Sequence, residues 1–168
     1  MLYTGHVPSP LGELIIAGND TELVGIWFED AKYFGSAITE PCRENMEAPV
    51  IVETAAWLSD YFAGLRPKPE RLRLRMIGSD FRCAVWKLLL QIPYGSTMTY
   101  GKIASAISRE RGTRVSAQAV GGAVGHNPIS VVIPCHRVVG ANGSLTGYAG
   151  GLDRKRWLLQ HESGAVVR

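Results

Sequence analysis

The stretch Ile133-Pro134-Cys135-His136-Arg137-Val138 places a cysteine between a proline and two cation-capable side chains at the end of an apolar run. The thiolate is the reactive form of cysteine, and nearby cations favour it. Because proline restricts the residue before it to extended conformations, the run 129–133 is predicted to be a buried strand that ends at Cys135. The sequence therefore predicts a nucleophilic cysteine on a rigid support.

The alternative for Cys135 is a small buried side chain without chemistry, which is the usual role of a free cysteine. The chain has three cysteines, Cys42, Cys83 and Cys135, and no Cys-x-x-Cys pair. This pattern argues against a disulfide framework and against a structural zinc site. We therefore expect reduced cysteines in a reducing compartment.

The chain of 168 residues is long enough for one domain or two small ones, and 46% of its residues are hydrophobic. This composition is typical of a folded globular protein. No apolar stretch reaches the roughly 18 residues of a membrane span, and the first residues lack the pattern of a signal peptide. We expect a protein of the cytoplasm or nucleus, and favour the cytoplasm.

Charge is divided unevenly along the chain. Residues 1–75 contain 7 Lys and Arg against 11 Asp and Glu, a net charge of −4, whereas residues 76–168 contain 11 against 4, a net charge of +7. A basic half that carries the candidate thiol indicates a polyanionic partner, with an ordinary solvated face as the alternative.

The first half of the chain is predicted to be an α/β domain. Two β-rich runs, 14–17 and 23–28, are separated by the turn residues Gly18-Asn19-Asp20. The apolar residues of 50–63 recur at helical spacing. An Arg-Leu alternation over 71–76 is typical of a half-buried strand with its basic residues outward.

The turn residues Gly78-Ser79-Asp80 interrupt that alternation. We therefore predict a domain boundary there, with residues 1–77 as an N-terminal α/β domain and residues 78–168 as a second domain.

The second half is predicted to be mainly helical. Helical spacing or helix caps mark the segments 80–92, 100–107, 117–125 and 152–162, with Asp80, Thr99 and Ser116 as candidate caps. The second and third helices are short and joined by a polar connection, which resembles a helix-turn-helix. The run 138–145 is predicted to form a strand and turn, as in a wing.

The predicted helix 117–125 is rich in small residues: Ala117, Ala119, Gly121, Gly122 and Ala123. A glycine inside a helix lowers its stability by about 1 kcal/mol relative to alanine, so something should compensate for that cost. Small residues let a helix backbone approach another surface closely. That surface is either DNA or a neighbouring helix, and the local sequence does not distinguish the two.

Several motifs in consistent order resemble the O6-alkylguanine-DNA alkyltransferases. They are AVGGAVGHNPI at 119–129, IPCHRVVG at 133–140, TGYAGG at 146–151 and WLLQHE at 157–162. The match extends over residues 79–162, and the N-terminal half is similar more loosely. The resemblance implies a small ribonuclease H-like α/β domain followed by a mostly helical winged-helix domain with a helix-turn-helix.

The resemblance also implies an activity, which is DNA repair by direct reversal. An alkyl group, typically methyl, would pass irreversibly from O6 of guanine in DNA to Cys135, with O4-alkylthymine as a further candidate substrate. Because a base inside a duplex hides its O6 substituent, the damaged nucleotide must rotate out. The implied partner is double-stranded DNA, the implied state is a monomer, and no metal or small cofactor is required.

Five residues match the family's catalytic positions: Cys135, His136, Glu162, Asn127 and Tyr100. The resemblance makes Cys135 the alkyl acceptor, His136 its activator through a water, and Glu162 the carboxylate that orients the imidazole. Asn127 matches a hinge residue that braces the site, and Tyr100 a tyrosine that protonates the departing guanine. Without the motif, His136 and Glu162 would be interpreted as an exposed histidine and a surface charge.

The resemblance further implies contacts with DNA and with the flipped base. The DNA contacts are Gln118, Ala119, Gly122, Ala123, Arg137 and Tyr100, and the guanine pocket is formed by Val138, Tyr148, Ala149 and Gly150. Gln118 departs from the family pattern, because many members have there an arginine that fills the space of the flipped base. Glutamine supplies no charge, so weaker or differently timed flipping is our hypothesis.

Two other functions remain open from the residues alone. The second half could be the DNA-binding module of a regulator, in which Cys135 would be dispensable. It could also be a thiol enzyme, such as a hydrolase using Cys135 and His136, which would turn over repeatedly. Neither alternative explains the cysteine motif together with Asn127 and Glu162.

Overall fold

The computed structural model describes residues 1–164, which form two compact units. The first consists of Met1–Ile77 and Pro128–Ser130, and the second of Gly78–Asn127 and the chain from Val131 onward. No helix in the described part of the chain is long and apolar enough to cross a bilayer.

The first unit is a four-stranded sheet with one long helix on it. Its strands are β1 (Leu2–Val7), β2 (Leu14–Gly18), β3 (Leu23–Phe28) and β4 (Cys42–Glu44), in the order β3-β2-β1-β4. The pairs β1–β2 and β2–β3 are antiparallel, and β4 runs parallel to β1. The helix α1 (Pro49–Phe62) packs on one face, where Gly5 and Gly18 leave room for Ile51 and Val50.

The segment predicted as a strand over 71–76 pairs with the outer edge of β3 at one residue only. Pro69–Arg71 forms a short 3-10 helix, and Leu74 then bridges Leu23 in parallel orientation. The predicted alternation holds, because the arginines of this segment are exposed and the leucines between them are not.

The predicted buried strand 129–133 was correct in burial and wrong in conformation. All five residues are buried, and Ile129 bridges Ile26 of β3. Val131, however, has a left-handed φ of 70°, which bends the chain away from an extended path. The candidate cysteine therefore follows a buried turn rather than the end of a strand.

The described part of the second unit contains four α-helices: α2 (Asp80–Leu89), α3 (Tyr100–Arg111), α4 (Ala117–Gly125) and α5 (Leu152–Ser163). Thr99 and Ser116 cap α3 and α4 as predicted, through hydrogen bonds of 3.1 and 3.0 Å from backbone N–H groups. The cap of α2 is Ser79 rather than the predicted Asp80. The pair α3–α4 forms the predicted helix-turn-helix.

The predicted wing over 138–145 is small. Its strand β6 (Val138–Val139) pairs in parallel with β5 (Met98–Thr99), and a 3-10 helix at Ala141–Gly143 follows. The predicted fold class, an α/β unit followed by a mostly helical unit with a helix-turn-helix, is confirmed.

Candidate active site

Cys135 lies at the start of a short 3-10 helix, Cys135–Arg137, directly after the buried turn. Only 4% of its surface is exposed. Its backbone N–H donates to the Ile133 carbonyl at 2.7 Å, which stiffens the turn. The thiol is therefore held on rigid backbone inside the second unit, away from bulk water.

His136, Arg137 and Glu162 form one buried network. Glu162, on α5, accepts hydrogen bonds from His136 Nε2 at 2.6 Å and from Arg137 Nε and Nη2 at 2.7 and 3.0 Å. Arg137 Nη1 donates to the Ile92 carbonyl at 2.7 Å, and the guanidinium lies 5.6 Å from the Tyr94 ring. This burial excludes the interpretation of His136 and Glu162 as exposed surface groups.

Charge and burial together set the protonation states of the network. Burial by itself would raise the pKa of Glu162, but the hydrogen bonds and charges of His136 and Arg137 outweigh it and hold that pKa well below its ordinary value. Burial lowers the pKa of His136, against the opposing pull of Glu162. The imidazole is therefore neutral and donates from Nε2 to an ionised carboxylate.

The Nδ1 atom of His136 is left as a bare acceptor. It is buried and has no hydrogen-bond partner within residues 1–164. Leaving a buried polar atom unpaired costs about 1–3 kcal/mol, which marks this position as one that a proton donor or a water should reach.

Cys135 is a neutral thiol at rest, because burial raises the pKa of its side chain. A hydrogen bond from Asn127, the charge of Lys155 and the backbone N–H each oppose that rise in pKa. Asn127 also donates from Nδ2 to the Ile133 carbonyl at 2.8 Å. It therefore braces the turn that carries the thiol.

Tyr148 places a hydroxyl near that thiol. Burial raises the pKa of Tyr148 well above its ordinary value, and the nearby Cys135 adds to the rise, so the phenol stays neutral. Its Oη is buried and lacks a partner at hydrogen-bonding distance in the described residues. A second unpaired polar atom in the same region indicates a place for a polar ligand.

Lys155 is a functional candidate that was not predicted from the sequence. It is fully buried, and Nζ donates to the carbonyls of Thr146 and Gly147 at 3.0 and 3.2 Å. Burial lowers the pKa of Lys155 to about 8, while the nearby thiol opposes that effect. Its spacing from the apolar Leu158 on α5 could have revealed it, since residues three apart share a helix face.

Tyr100, the first residue of α3, contacts the loop 146–151. Its Oη donates to the Thr146 carbonyl at 3.0 Å, and its ring lies 5.8 Å from Lys155 Nζ. Burial raises the pKa of Tyr100, against the effect of the Thr146 hydrogen bond, so this phenol is also neutral. A Cβ on Gly121 of α4 would lie 3.9 Å from the ring, which shows how closely α4 approaches.

The predicted pocket residues lie on two segments. Val138 follows the 3-10 helix and is fully buried. Tyr148, Ala149 and Gly150 lie in the loop 146–151, which the contacts of Tyr100 and Lys155 with Thr146 hold in place.

Helix α4 has a packed face and an exposed face. Its buried residues are Val120, Ala123 and Val124. The predicted DNA contacts that are exposed are Gln118, Ala119 and Gly122. Ala123 therefore belongs to the packed face rather than to the predicted DNA-facing one, because helical periodicity turns it toward α2, where its carbonyl accepts from Trp86 Nε1 at 2.8 Å.

Arg137, also predicted to contact DNA, points inward. It is 8% exposed, and its guanidinium donates to Glu162 and to the Ile92 carbonyl. Arg137 is buried because its guanidinium supplies the counter-charge of the buried Glu162 carboxylate.

The arrangement combines a buried thiol with a neutral base that an ionised carboxylate orients, which is the logic of an activated nucleophile. A neutral phenol and a buried ammonium lie beside it. Within residues 1–164 no group of three or more His, Cys, Asp or Glu side chains is placed to hold a metal ion.

Two family models match the chain. Residues 80–164 match "6-O-methylguanine DNA methyltransferase, DNA binding domain", and residues 2–76 match "6-O-methylguanine DNA methyltransferase, ribonuclease-like domain". The methylated-DNA–protein-cysteine methyltransferase of Mycolicibacterium paratuberculosis is 45% identical over 166 residues, covering 96% of this chain and 93% of the relative. That of Methanosarcina barkeri is 41% identical over 161 residues, covering 96% and 97%.

Solved structures are similar over nearly the whole chain. An O6-methylguanine methyltransferase of Mycobacterium tuberculosis has a TM-score of 0.83 and 39% identity, with coverage of 99% of this chain and 96% of that one. The OGT of the same organism in complex with DNA has a TM-score of 0.83 and 40% identity, with coverage of 97% and 92%.

Proposed function

Because the chain belongs to the family of 6-O-methylguanine DNA methyltransferases, we propose that it repairs DNA by moving the alkyl group from O6 of an alkylated guanine onto Cys135. The observation that carries the assignment to this residue is the buried thiol, followed in the chain by a neutral histidine that Glu162 orients. The partner is double-stranded DNA, and the protein acts as a monomer in the cytoplasm.

The transfer is a direct displacement at the alkyl carbon. The Cys135 sulfur forms the new S–C bond, the C–O bond breaks, and its electron pair stays on the departing guanine. The thiol gives up one proton to His136 and the guanine takes one from Tyr100, and passage of a proton from the imidazolium to the tyrosinate through water restores both groups, so charge balances overall. Because the thioether product is stable to water, each molecule reacts once.

His136 acts as the base for the thiol proton. Its Nε2 already donates to Glu162, so Nδ1 is the nitrogen that accepts the proton, with a water as the carrier that the family resemblance implies. Glu162 stabilises the imidazolium that forms. Arg137 keeps Glu162 ionised and in position.

Three further side chains prepare the site. Asn127 braces the turn that carries Cys135. Lys155 stabilises the thiolate by its charge and holds the loop 146–151. Tyr100 protonates the departing guanine. To do so, its hydroxyl breaks the hydrogen bond to the Thr146 carbonyl and donates to the base instead.

The flipped base is received by Val138, Tyr148, Ala149 and Gly150, where the unpaired Tyr148 hydroxyl is available to a polar base edge. The exposed face of α4, with Gln118, Ala119 and Gly122, contacts the duplex. The family resemblance implies that this helix binds in the minor groove, where the bases present little sequence information, and this suits the search for a lesion. Gln118 stands where the family resemblance implies an arginine in many members, and it weakens flipping or changes its timing.

These roles divide the chain into two domains. We assign residues 1–77 to the N-terminal α/β domain and residues 78–168 to the domain that binds DNA and accepts the alkyl group, although Pro128–Ser130 belong to the first compact unit. Methyl is the alkyl group that the family description names, and O4-alkylthymine is a further candidate substrate.

The test is mass spectrometry of the intact protein and its peptides after incubation with a duplex that contains one O6-methylguanine. We expect one methyl group on the peptide with Cys135, in a 1:1 ratio with repaired guanine. An unmodified duplex is the substrate control. Cys83→Ser is the matched protein control, because Cys83 is only partly buried and lies on another helix.

The expected pattern is complete methylation of the parent and of Cys83→Ser, and none of Cys135→Ser. Binding of the duplex without modification of Cys135 would instead identify a DNA-binding regulator. Repeated turnover would identify a thiol enzyme, and either result overturns the proposal.

A further inference from the structure

The first unit has a basic segment in an otherwise acidic surrounding. Residues 1–65 contain 2 Lys and Arg against 10 Asp and Glu, a net charge of −8. Residues 66–75 contain 5 against 1, a net charge of +4, supplied by Arg66, Lys68, Arg71, Arg73 and Arg75. Such a local reversal of sign creates a positive surface on a unit that would otherwise repel a polyanion.

The backbone of this segment presents the arginines outward. The Leu23 N–H donates to the Arg73 carbonyl at 2.7 Å, and the Arg75 N–H donates to the Leu23 carbonyl at 2.9 Å. Arg73 and Arg75 are exposed, whereas Leu72 is 8% exposed and Leu74 is partly buried. The edge of β3 thus anchors the segment, and the cations are held on a firm support rather than on a loose loop.

Most of these cations lack a counter-ion in the protein. The side chains of Lys68, Arg73 and Arg75 have no ionic or hydrogen-bond partner within residues 1–164. Arg71 pairs with Asp60 at 2.9 Å, but the two side chains are 48% and 37% exposed. An exposed pair of this kind contributes little energy, so Arg71 can exchange its partner at small cost.

We propose that the segment 66–75 is a second DNA-contacting surface, on the N-terminal domain, which binds phosphates of the duplex outside the lesion. This inference rests on the proposed function, which brings a duplex to the protein. In an extended segment alternate side chains lie about 6.6 Å apart and point to the same side. Arg73 and Arg75 are therefore far enough apart for each to bind its own phosphate.

The predicted contact is independent of sequence and of damage. Arginines that meet phosphates position a protein on DNA without reading bases. Each phosphate contact releases counter-ions, so it contributes about −0.9 to the slope of log affinity against log salt concentration. The surface should therefore act equally on damaged and undamaged duplexes.

The experiment measures binding of the full chain to an undamaged duplex by fluorescence anisotropy, from about 50 to 200 mM salt. The variant is Arg73→Gln/Arg75→Gln. The matched control is Lys32→Gln/Arg43→Gln, which removes the same charge from exposed positions of the same unit. A second readout, alkylation of Cys135 by O6-benzylguanine as the free base, reports the active site without DNA.

We expect the Arg73/Arg75 variant to lose about 1.8 from the salt slope and about tenfold in affinity at the lowest salt, while the control keeps the parent's slope. Alkylation by the free base should be unchanged in both variants. If the slope equals the parent's, or falls equally in the control, the segment is only a solvated face and the inference is wrong. If a duplex that contains O6-methylguanine does not methylate Cys135 of the parent either, the proposed function itself has failed.

Discussion

The two units bury different kinds of side chain. In the first unit the largest fully buried side chains are aromatic and aliphatic, among them Trp27, Phe28 and Tyr61. In the second unit the buried side chains include four that carry or exchange protons: His136, Arg137, Lys155 and Glu162. The first unit is thus packed as an apolar core, whereas the second contains charge in its interior.

This difference shows where the proposed chemistry has a cost in stability. A buried ion pair is often no more stable than well-packed apolar residues of the same volume. The pair of Arg137 and Glu162 is therefore weak evidence for a structural role. Its contact with His136 gives it a chemical one, because Glu162 accepts the Nε2 hydrogen bond that orients the base.

The largest expected effect tests the network of the second unit. Glu162→Gln keeps the shape of the side chain but leaves the Arg137 guanidinium buried without its counter-charge. Breaking a buried pair from one side costs about 3–5 kcal/mol, so we expect a loss of that size in urea unfolding and a loss of alkyl transfer. Asp153→Asn, which removes the exposed pair with Arg156, should leave both unchanged. Equal effects of the two substitutions would show that the buried network contributes no more to stability and transfer than an exposed ion pair does.

Lys155 makes the stability of the second unit depend on pH in the alkaline range. Burial lowers the pKa of Lys155 from 10.5 to about 8, so between these values the unfolded chain binds a proton that the folded protein does not. Stability due to this group therefore rises with pH across that window, by about 1–2 kcal/mol after allowance for solvent screening.

Lys155→Met should abolish this rise, measured as the difference in unfolding free energy between about pH 7 and about pH 10. The exposed Lys87→Met is the matched control and should keep the parent's pH dependence. A rise that persists in Lys155→Met would assign it to other groups.

A substitution at Thr54 tests whether the first unit gains stability when a buried polar group is removed. Its Oγ1 is buried on α1 without a hydrogen-bond partner in the described residues. Thr54→Val replaces the hydroxyl by a methyl group of similar size and should stabilise the protein by about 1 kcal/mol in thermal unfolding. Thr54→Ser, which keeps the hydroxyl and removes the methyl, should destabilise it by about the same amount. A loss of stability in Thr54→Val would mean that the first unit also uses its buried polar groups.

The smallest expected effect is that of a substitution at Gly122 on α4, which should change stability and repair in opposite directions. A Cβ added to Gly122 meets no atom within 4 Å, so packing does not explain this glycine. Gly122→Ala should raise stability by about 0.5–1 kcal/mol through helix propensity, while it slows repair of a methylated duplex. Transfer from the free base O6-benzylguanine should not change. Unimpaired repair would show that the exposed face of α4 does not approach DNA closely.

Local signals in the sequence predicted the helices well and the buried turn poorly. Thr99 and Ser116 were identified as caps because a hydroxyl before a helix satisfies backbone N–H groups at short range. The apolar run 129–133 was predicted as a strand, because an apolar run marks burial but does not distinguish a strand from a buried turn. The left-handed φ of Val131 depends on the surrounding packing.

The charged residues of the site show a second limit of local reasoning. Arg137 was predicted to face DNA, and Lys155 was not predicted to have a role. Both lie inside, because their partners are Glu162 in one case and the Thr146 carbonyl in the other. Neither contact could be found from neighbours in the sequence.

The sequence by itself determined the family, the helix-turn-helix and the identity of the candidate nucleophile Cys135, because these depend on motifs and on short-range periodicity. Only the tertiary structure decided the protonation states and which charges are paired. The reason is physical: the pKa of a group depends on its burial and on charges that the fold brings from distant parts of the chain. Two residues of α5 act in this way: Glu162 opposes the fall in the pKa of His136, and Lys155 opposes the rise in the pKa of Cys135.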